Sequence, residues 1–380
     1  LYIFAPGGYN ESDPDKIQPS EEETAVEKIQ VAVIGCGSIA NSAHGPSYAK
    51  IPEAHIAYCV DIIPERAQKF KEKFGDEETV ALTDYREMLR DPRVQAVSVC
   101  VPNYLHNPIS IDCLRAGKNV LCEKPASVRY DLAQQMADAA HETGRILNIG
   151  VVNRFNNAVN ALRDDVLAGK LGSVYHVYCS FRAHRSIPGL GGPFTTKELA
   201  GGGVLIDWGV HYLDLINYVL DIREVKTVSG ACYSKLGSPM RDYVYEDMWA
   251  GPPDYSGTYD VEEYVTGLIR TDGPTISLNG AWAENIQAAE STYIDFLGDK
   301  GGVRLTYGGG YTFFGTKDGK LISETPEIEK GDMFLSELQA FVDCVRTGEH
   351  IRSYVDNNLI TARMMQGLYD SDKAGKEVSF

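Results

Sequence analysis

The stretch Ile29-Gln30-Val31-Ala32-Val33-Ile34-Gly35-Cys36-Gly37-Ser38-Ile39-Ala40 decides the fold of this chain. Its first six residues are mostly apolar and β-branched, which predicts a strand, and the glycine turn after them opens a helix. The two glycines allow a tight turn and close backbone approach to phosphate, and Ala40 replaces a third glycine, which the motif tolerates. Backbone N–H groups at such a helix N-terminus bind a pyrophosphate. The residues that we expect to contact a dinucleotide here are Gly35, Gly37, Ser38 and Ile39.

Strands and helices alternate from residue 29 to residue 152. The predicted strands are 30–35, 55–60, 78–82, 94–101, 118–123 and 146–151, and the predicted helices are 38–50, 64–74, 84–90, 107–116 and 128–143. Six strands joined by crossover helices form a parallel sheet in two βαβαβ halves, the arrangement that binds dinucleotides. The sequence therefore predicts an α/β protein whose residues 29–152 form a Rossmann dinucleotide-binding domain.

An acidic residue follows the second predicted strand. Asp61 lies 21 residues after Ala40, within reach of the adenosine ribose 2′-hydroxyl. A carboxylate at this place repels a 2′-phosphate, which favours NAD over NADP, although Arg66 nearby leaves NADP open. We expect Asp61, Ile62 and Arg66 to line the adenosine end of the site. The alternatives are a flavin or mononucleotide fold, or a decayed site.

The fifth predicted strand ends in Glu123-Lys124-Pro125. Ligands of open parallel sheets bind beyond the carboxyl ends of the strands, so Lys124 should project towards the cofactor crevice. A lysine there can hydrogen-bond the reacting hydroxyl and stabilise alkoxide character as hydride leaves. Pro125 can fix the turn through a cis bond. The alternative is an ordinary surface lysine at a strand end.

The preceding strand end, Val101-Pro102-Asn103-Tyr104-Leu105-His106, faces the same crevice. We expect Pro102 and Asn103 to lie at the nicotinamide ribose. His106 either lines this pocket or has a purely structural role at the start of the next helix.

The rhythm changes after residue 153. A helix at 157–168, a strand at 173–182, a glycine-rich loop and a long helix at 204–220 are followed by consecutive strands at 225–234, 260–270, 274–286, 291–297 and 302–307. Consecutive strands without helices between them predict a mostly antiparallel sheet with helices on one face. A last helix pair, at 334–347 and 355–373, closes the predicted second domain, an α+β domain over 153–380.

The long helix contains Asp207-Trp208-Gly209-Val210-His211. Residues four apart on an α-helix share one face, so the Asp207 carboxylate and the His211 imidazole should meet. His211 would accept the hydroxyl proton, and Asp207 would hold the imidazole or bind a neighbouring hydroxyl. Asp207 raises the pKa of the imidazole whereas Lys124 and burial lower it, which predicts a value near neutrality. The alternative is a surface salt bridge.

The motif series as a whole resembles the glucose–fructose oxidoreductase/inositol dehydrogenase (Gfo/Idh/MocA) family. GxGxxA after the first strand, Asp after the second, then PNxxH and EKP carry the resemblance, which runs from about residue 29 to the C-terminus. It implies a Rossmann domain followed by an open-faced α/β domain whose sheet often forms the oligomer interface. It also implies that Lys124, Asp207 and His211 are the catalytic set, and that Glu123 and Asn153 contact the cofactor.

Other residues are candidates for the substrate pocket. Asn153 and Arg154 follow the sixth strand, at a position that touches cofactor or substrate in related proteins, and His184 precedes the glycine-rich loop. Ordinary strand-end polarity is the alternative for His184. The stretch 234–259, less typical of the family, carries Tyr243, Tyr245, Trp249, Tyr255 and Tyr259. It is interpreted either as a lid over a sugar or as an oligomer contact.

The composition of the chain excludes some classes of binding partner. The 380 residues carry a formal net charge of −17, which argues against nucleic acid or an anionic membrane and suits a neutral sugar. No apolar run approaches the roughly 20 residues of a membrane span. The eight cysteines include no CxxC, which favours a reducing, cytoplasmic setting, and no histidine cluster indicates a metal site. Residues 1–28, with seven acidic residues and two lysines, predict an extended arm that is solvated or draped over a neighbour.

These patterns together predict an NAD-dependent dehydrogenase acting on a secondary hydroxyl of a sugar, glycoside or cyclic polyol. The Asp-Trp-Gly-Val-His form and the aromatic insert resemble family members that oxidise pyranosides at C3. The alternatives are an inositol dehydrogenase, a sugar reductase, an NAD-dependent glycosidase without net redox change, and an NAD-sensing regulator. A homo-oligomer, dimer or tetramer, formed through the second sheet is expected from the family resemblance.

Overall fold

The computed structural model describes residues 28–245, 248–287 and 289–380. Within these ranges the chain forms one sheet of six strands and, after it, one of nine. The predicted arm at 1–28 lies outside the described residues except for Lys28. In the part of the chain so described, no helix combines the length and apolar character that a bilayer crossing requires.

The first sheet has the strand order β3-β2-β1-β4-β5-β6, and its neighbouring strands run parallel. Its strands are β1 (Ile29–Ile34), β2 (Ala54–Val60), β3 (Val80–Leu82), β4 (Val94–Val99), β5 (Asn119–Glu123) and β6 (Leu147–Gly150). A parallel sheet is covered on both faces, so its strands are nearly continuous apolar runs, and five of the six residues of β4 are buried. The order reverses between β1 and β4, which opens a ligand crevice at their carboxyl ends. The prediction of a Rossmann sheet is confirmed.

Helices connect these strands on both faces. They are a π-helical turn (Ala40–His44) continuing into α1 (Gly45–Tyr48), then α2 (Pro64–Phe74), α3 (Tyr85–Leu89), α4 (His106–Arg115) and α5 (Tyr130–Thr143). Local chemistry sets their ends. Asp84 accepts a hydrogen bond from the Arg86 N–H and so caps α3, and Gly144, with φ of 62°, ends α5 in the left-handed region.

The second sheet has the order β14-β13-β12-β11-β7-β10-β9-β8-β15. Its strands are β7 (Val174–Ala183), β8 (Val225–Tyr233), β9 (Tyr264–Thr271), β10 (Thr275–Ala281), β11 (Glu290–Gly298), β12 (Gly301–Thr306), β13 (Tyr311–Lys317), β14 (Lys320–Glu324) and β15 (Val378–Ser379). β7 and β10 pair in parallel, and the other pairs are antiparallel. The prediction of a mostly antiparallel second sheet is confirmed.

The two faces of the second sheet differ. One face packs against α6 (Asn157–Leu167), α8 (Val210–Leu220) and α10 (Asp356–Ala374) around buried residues such as Phe181 and Phe296. The short helix α7 (Lys197–Ala200) lies in the segment before α8. The other face is open, and Tyr178, Tyr233 and Phe314 on it are 44–50% exposed. The sheet is therefore half-covered within one copy of the chain.

The last three strands lie outside the predicted set, and two of them carry no pattern that marks a strand. In β14 no residue is fully buried, and in β15 there are only two residues, so neither shows the alternation that marks a half-buried strand. These strands form because a neighbouring strand offers its edge, which is a tertiary condition.

The last two long helices join the two sheets. On α9 (Met333–Thr347), Leu338 and Phe341 pack in one cluster with Val31 and Val33 of β1. α10 packs against α5 on one side and against α8 and β8 on the other. This packing fixes the long helix of the second half against the carboxyl ends of the first sheet.

Candidate active site

The glycine turn has the shape that a pyrophosphate needs. Gly35 has φ of +90°, and a Cβ there would lie 2.4 Å from the carbonyl oxygen of Cys100. A Cβ on Gly37 would meet no protein atom within 4 Å, so this side of the turn is open. The Asn41 side chain donates to the carbonyl oxygens of Cys36 and Gly37, at 2.9 Å each, and holds the turn in place. Sequence reasoning missed Asn41.

Asp61 lies directly after β2, beside this turn. Its Oδ2 accepts from the Cys36 N–H and its Oδ1 from the Ile63 N–H, both at 2.9 Å. These two bonds orient the carboxylate, and each oxygen retains a lone pair for a ribose hydroxyl. Ile62 is 87% exposed, and Arg66 is also exposed at the mouth of the crevice. The turn and this carboxylate together fit the pyrophosphate and adenosine ribose of NAD.

Lys124 follows β5 at the same edge of the sheet, and its peptide bond to Pro125 is cis. Its Nζ donates to the backbone oxygen of Asp207 at 3.0 Å and to Asp207 Oδ1 at 3.3 Å. The lysine side chain is 21% exposed and that of the aspartate 11%. The ammonium is thus fixed by two bonds to one residue and keeps a third proton free to donate.

Asp207 occupies a π-helical turn (Leu205–Gly209) that precedes α8. Hydrogen bonds in such a turn run from residue i to i+5, and these turns are frequent at functional sites. The Asp207 Oδ2 atom is buried and accepts no hydrogen bond from any residue that the structure describes. A buried acceptor without a donor is costly unless a ligand hydroxyl supplies one. Asp207 therefore offers a carboxylate oxygen to a substrate.

The expectation that Asp207 holds the His211 imidazole is wrong. Asp207 pairs with Lys124, whereas the Asn153 amide Nδ2 lies 3.3 Å from His211 Nδ1. Residues four apart meet on an α-helix, but the π-helical turn changes the rotation between positions 207 and 211. The amide of Asn153 instead reaches the ring from the end of β6.

The expected near-neutral pKa of His211 is wrong as well. Burial, and then the positive charge of Lys124, lower the pKa of His211 well below its ordinary value. The Asp207 carboxylate, which was expected to oppose these two effects, faces Lys124 instead. His211 is consequently neutral at physiological pH and can accept a proton.

Tyr307, just after β12, was missed by sequence reasoning. Its hydroxyl lies 3.2 Å from Asn153 Nδ2, and its ring stacks on Tyr212 with 4.6 Å between centroids. The ring centroid of His211 lies 6.3 Å away. Tyr307 therefore forms one wall of the histidine pocket and positions Asn153. A tyrosine before a glycine turn carries no local signal for this role.

Glu123, expected at the cofactor, and His106, for which a pocket role and a structural role were both open, are directed into the protein. Glu123 Oε1 lies 2.9 Å from His44 Nε2, and its Oε2 accepts from the Lys124 N–H at 3.2 Å. Burial alone would raise the pKa of Glu123, but His44, Lys124 and His106 together outweigh it and the pKa is lowered. The ring nitrogens of His106 contact the carbonyl oxygens of Pro125 (2.7 Å) and Val101 (3.0 Å). These corrections follow from burial, since His106 is 1% exposed and Glu123 8%.

Asn103 and Pro102 lie at the end of β4, on the crevice side. The Asn103 amide nitrogen donates to the carbonyl oxygen of Ala200 at 2.9 Å. This bond connects the strand end to the loop before the active-site helix, by which we mean the π-helical turn Leu205–Gly209 and α8. The Asn103 Oδ1 remains for a ribose hydroxyl. The expectation for these two residues stays a prediction.

Arg154 is not a substrate-binding residue. It is 1% exposed, and its guanidinium forms a two-point ion pair with Asp214, at 2.7 and 2.8 Å. It also donates to the carbonyl oxygens of Arg352 and Asn357. A charge this deeply buried needs such partners, so Arg154 fixes the turn after β6 against α8. The neighbouring position, Asn153, is the one that reaches the site.

His184 is exposed at the end of β7, and its Nδ1 lies 3.0 Å from the carbonyl oxygen of Glu284. Among the described residues it has no contact with Lys124, Asp207 or His211. Its place in a substrate pocket stays a prediction.

Two adjacent acidic residues hold the backbone around the site. Sequence reasoning missed both of them. Glu262 Oε1 accepts from the N–H groups of Gly203 and Leu205, at 2.9 and 3.2 Å, where the active-site helix begins. Glu263 accepts from three consecutive N–H groups at 235–237, where the aromatic insert begins. The insert and the helix entrance are thus held by neighbouring positions of one strand end.

The described part of the aromatic insert packs on the glycine-rich loop. Trp249 lies edge-on to Phe194 with 4.8 Å between centroids, and Ala250 and Asp254 bond backbone atoms of that loop. Trp249 is 60% exposed. The insert therefore extends the loop wall outward, with an aromatic surface in solvent.

Comparisons with known proteins agree with this geometry. The family model described as the Gfo/Idh/MocA oxidoreductase family with an NAD-binding Rossmann fold matches residues 29–151, and the Gfo/Idh/MocA C-terminal domain matches residues 159–304. The D-glucoside 3-dehydrogenase of Escherichia coli is 30% identical over 352 residues, covering 92% of this chain and 97% of that protein. The myo-inositol 2-dehydrogenase of Thermotoga maritima is 28% identical over 199 residues, covering 52% of this chain and 57% of that protein.

Solved structures share the whole architecture. A levoglucosan dehydrogenase in complex with NADH and levoglucosan is 19% identical, with a TM-score of 0.80, and the likeness covers 93% of this chain and 99% of that one. At this identity the likeness shows the fold alone. Both domain models and a relative of nearly full length thus agree with the strand order and the glycine turn, and the chain belongs to the Gfo/Idh/MocA family of NAD-binding oxidoreductases.

Proposed function

We propose that this protein oxidises a secondary hydroxyl of a pyranose or glycoside, at C3, with NAD as the hydride acceptor. The observation that carries the proposal is the unpaired, buried Oδ2 of Asp207 beside the Lys124 ammonium and near a neutral His211. A carbinol with a neighbouring hydroxyl offers one donor for each acceptor there. The likeness to a D-glucoside 3-dehydrogenase over nearly the whole chain supports the substrate class.

Each residue has a distinct task in this proposal. Bound NAD, held by the glycine turn and Asp61, supplies the acceptor for the hydride that leaves the carbinol carbon. Lys124 donates a hydrogen bond to the reacting oxygen and stabilises its developing negative charge. His211 accepts the hydroxyl proton through Nε2, so the carbinol loses one hydride and one proton. Asp207 fixes Lys124 and accepts a hydrogen bond from the adjacent hydroxyl.

Asn153 selects the tautomer of His211. With its amide nitrogen towards Nδ1, the ring proton lies on Nε2, and the ring cannot accept the hydroxyl proton at that atom. A half-turn of the amide brings Oδ1 towards an Nδ1–H and frees the Nε2 lone pair, the form that alcohol oxidation needs. Tyr307 can accept from the amide nitrogen or donate to the amide oxygen, so it suits both states. The imidazolium formed on oxidation returns the same Nε2 proton in carbonyl reduction, so this one amide orientation serves both directions.

Purified protein with NAD and a panel of methyl glucosides, free glucose and myo-inositol tests the proposal. We expect absorbance at 340 nm to rise with the glucosides and the product to be the 3-keto glycoside by NMR. Preference for myo-inositol would favour the inositol dehydrogenase reading, for which the relative from Thermotoga maritima gives support. Release of methanol without NADH would favour a glycosidase, and tight NAD binding without turnover a regulator. Any of these three results would overturn the proposal.

We also propose that the open face of the nine-stranded sheet joins copies of the chain into a dimer or tetramer. Tyr178, Tyr233 and Phe314 would be covered there. Light scattering on the purified protein gives the mass directly, and a monomer would contradict this assignment.

We further propose that residues 29–152 bind the cofactor and that residues 153–380 bind the substrate and form the assembly contact. A reducing, cytoplasmic setting suits the eight free cysteines, of which seven are buried.

A further inference from the structure

A cavity of about 660 Å³ lies apart from the candidate active site. It is bounded by α6, the carboxyl end of α8, α9 and the segment at 350–352. None of Lys124, Asp207 and His211 lines it. Its volume is within the range of small-molecule pockets, about 300–1,000 Å³.

The residues around this cavity have a one-sided charge. Among the residues that the structure describes, Arg163, His350 and Arg352 line it and no acidic residue does. The chain as a whole carries a formal net charge of −17, whereas this wall contains two arginines and no described acidic residue. The local charge is therefore opposite in sign to the net charge of the molecule. Such a reversal concentrates anions at a place from which the rest of the molecule repels them.

The two guanidinium groups are held by neutral acceptors. Arg352 Nη1 donates to the Arg154 carbonyl oxygen at 3.1 Å and contacts the Tyr218 hydroxyl at 3.2 Å, and Arg163 Nη1 donates to the Tyr218 carbonyl oxygen. The Arg163 guanidinium also lies 4.5 Å from the centroid of the Tyr218 ring. Within the described ranges neither arginine has an ion-pair partner, and only Nη1 of each donates to a protein acceptor. Nε and Nη2 of both groups are therefore available to an oxyanion.

The remaining lining is uncharged, with apolar residues (Phe155, Ala340, Ile351) beside polar ones. Asn157 and Ser336 are exposed at the cavity, and each donates to a backbone oxygen at 2.9 Å, of Glu329 and Asp332 respectively. Their oxygens remain as acceptors for sugar hydroxyls. Guanidinium forks bind phosphate oxygens in pairs. We propose that this cavity is a binding site for a phosphorylated sugar, with the phosphate on Arg163 and Arg352 and the hydroxyls on the amide and serine groups.

The cavity is connected to the active site through one turn of the chain. Arg352 bonds the backbone of Arg154, whose side chain holds Asp214, three residues after His211. Asn153, the preceding residue, contacts His211 itself. An occupant that pulls on Arg352 thus acts on the turn that positions the histidine. The site itself does not depend on the proposed substrate.

Calorimetry on the full chain, saturated with NAD so that the glycine turn is occupied, tests the site. The probes are inorganic phosphate, glucose 6-phosphate and glucose at constant ionic strength. We expect glucose 6-phosphate to bind more tightly than phosphate and Arg163→Met to weaken the binding of both, whereas any binding of glucose at the active site should be the same in the parent protein and in this variant. Glucose binding that falls in Arg163→Met as far as that of its phosphate, or no binding of either phosphate, would overturn the proposal.

Variants locate the binding. Arg163→Met and Arg352→Met should each weaken glucose 6-phosphate binding at least tenfold, while Arg90→Met, at an exposed arginine after α3, should change it less than twofold. Ser336→Glu adds a negative charge at an exposed position without removing a structural contact of the arginines, and it should abolish binding. Unchanged binding in Ser336→Glu and Arg163→Met would place the ligand elsewhere and refute the assignment.

Discussion

The charge at position 153 should control the pH dependence of the reaction. In the structure the Asn153 amide lies 3.3 Å from His211 Nδ1, and no carboxylate of the described ranges contacts the ring. Asn153→Asp keeps the size of the side chain and adds a negative charge beside the imidazole. Because an adjacent carboxylate stabilises the protonated ring, the pKa of His211 should rise.

The size of this rise follows from the geometry. Two unit charges about 4 Å apart interact by about 4 kcal/mol at an effective dielectric constant of about 20, and each pKa unit corresponds to about 1.4 kcal/mol. The upper limit is therefore about 3 units. Burial also opposes ionisation of the new carboxylate, so we expect a rise of about 1–2 units.

The sign is fixed by the role of the ring. Alcohol oxidation needs the neutral imidazole, which the parent protein holds even in mildly acidic solution because burial and Lys124 lower the pKa. In Asn153→Asp the acid limb of kcat/KM should move up by about 1–2 pH units, with activity recovered at higher pH. The assay is NADH formation from a methyl glucoside between pH 5 and 9.

Asn153→Leu is the matched control, since it removes the hydrogen bond without adding charge. It should lower kcat/KM at every pH and leave the acid limb where it is or lower. An acid limb that does not move in Asn153→Asp, in a protein that still binds NAD, would mean that His211 is not the proton acceptor.

Three further changes test separate parts of the molecule. Lys124→Met should lower kcat by about 10²–10³-fold while the NAD dissociation constant, measured by fluorescence titration, stays within several-fold; collapse of NAD binding would contradict its placement at the reacting oxygen. Asp61→Ala should weaken NAD binding about tenfold or more and lower the NAD-to-NADP ratio of kcat/KM, and an unchanged ratio would contradict the ribose contact. Arg154→Met leaves the Asp214 carboxylate buried without its cation and should cost about 3–5 kcal/mol in urea unfolding, a loss below about 1 kcal/mol being inconsistent with the ion pair.

The fold was predictable because its determinants are local. The apolar runs of β1 to β6 and the crossover helices between them fix a parallel sheet, and only glycine readily takes the φ of +90° at position 35. Lys124 and Asp61 were identifiable for the same reason, since residues directly after a parallel strand lie at the ligand edge. Chain direction alone brings them there.

Adjacency to a motif was a poor guide to side-chain direction. Glu123 is adjacent to Lys124, yet its side chain lies in the interior and contacts His44, 79 residues away in sequence. Arg154 is adjacent to Asn153, and its side chain is likewise buried and contacts Asp214, 60 residues away. Charged groups in the interior take the partners that packing supplies, and those partners cannot be found by spacing along the chain.

The sequence by itself determined the strand order, the cofactor turn and the helix that carries Asp207 and His211. Only the tertiary structure decided how these two residues are used. A π-helical turn, which no local pattern marks, directs the Asp207 side chain towards Lys124. His211 is contacted by Asn153, which in turn contacts Tyr307, 154 positions after Asn153 in the sequence. The physical reason is that hydrogen-bond partners are chosen by distance and burial in the folded chain, whereas sequence spacing records only positions along a regular helix.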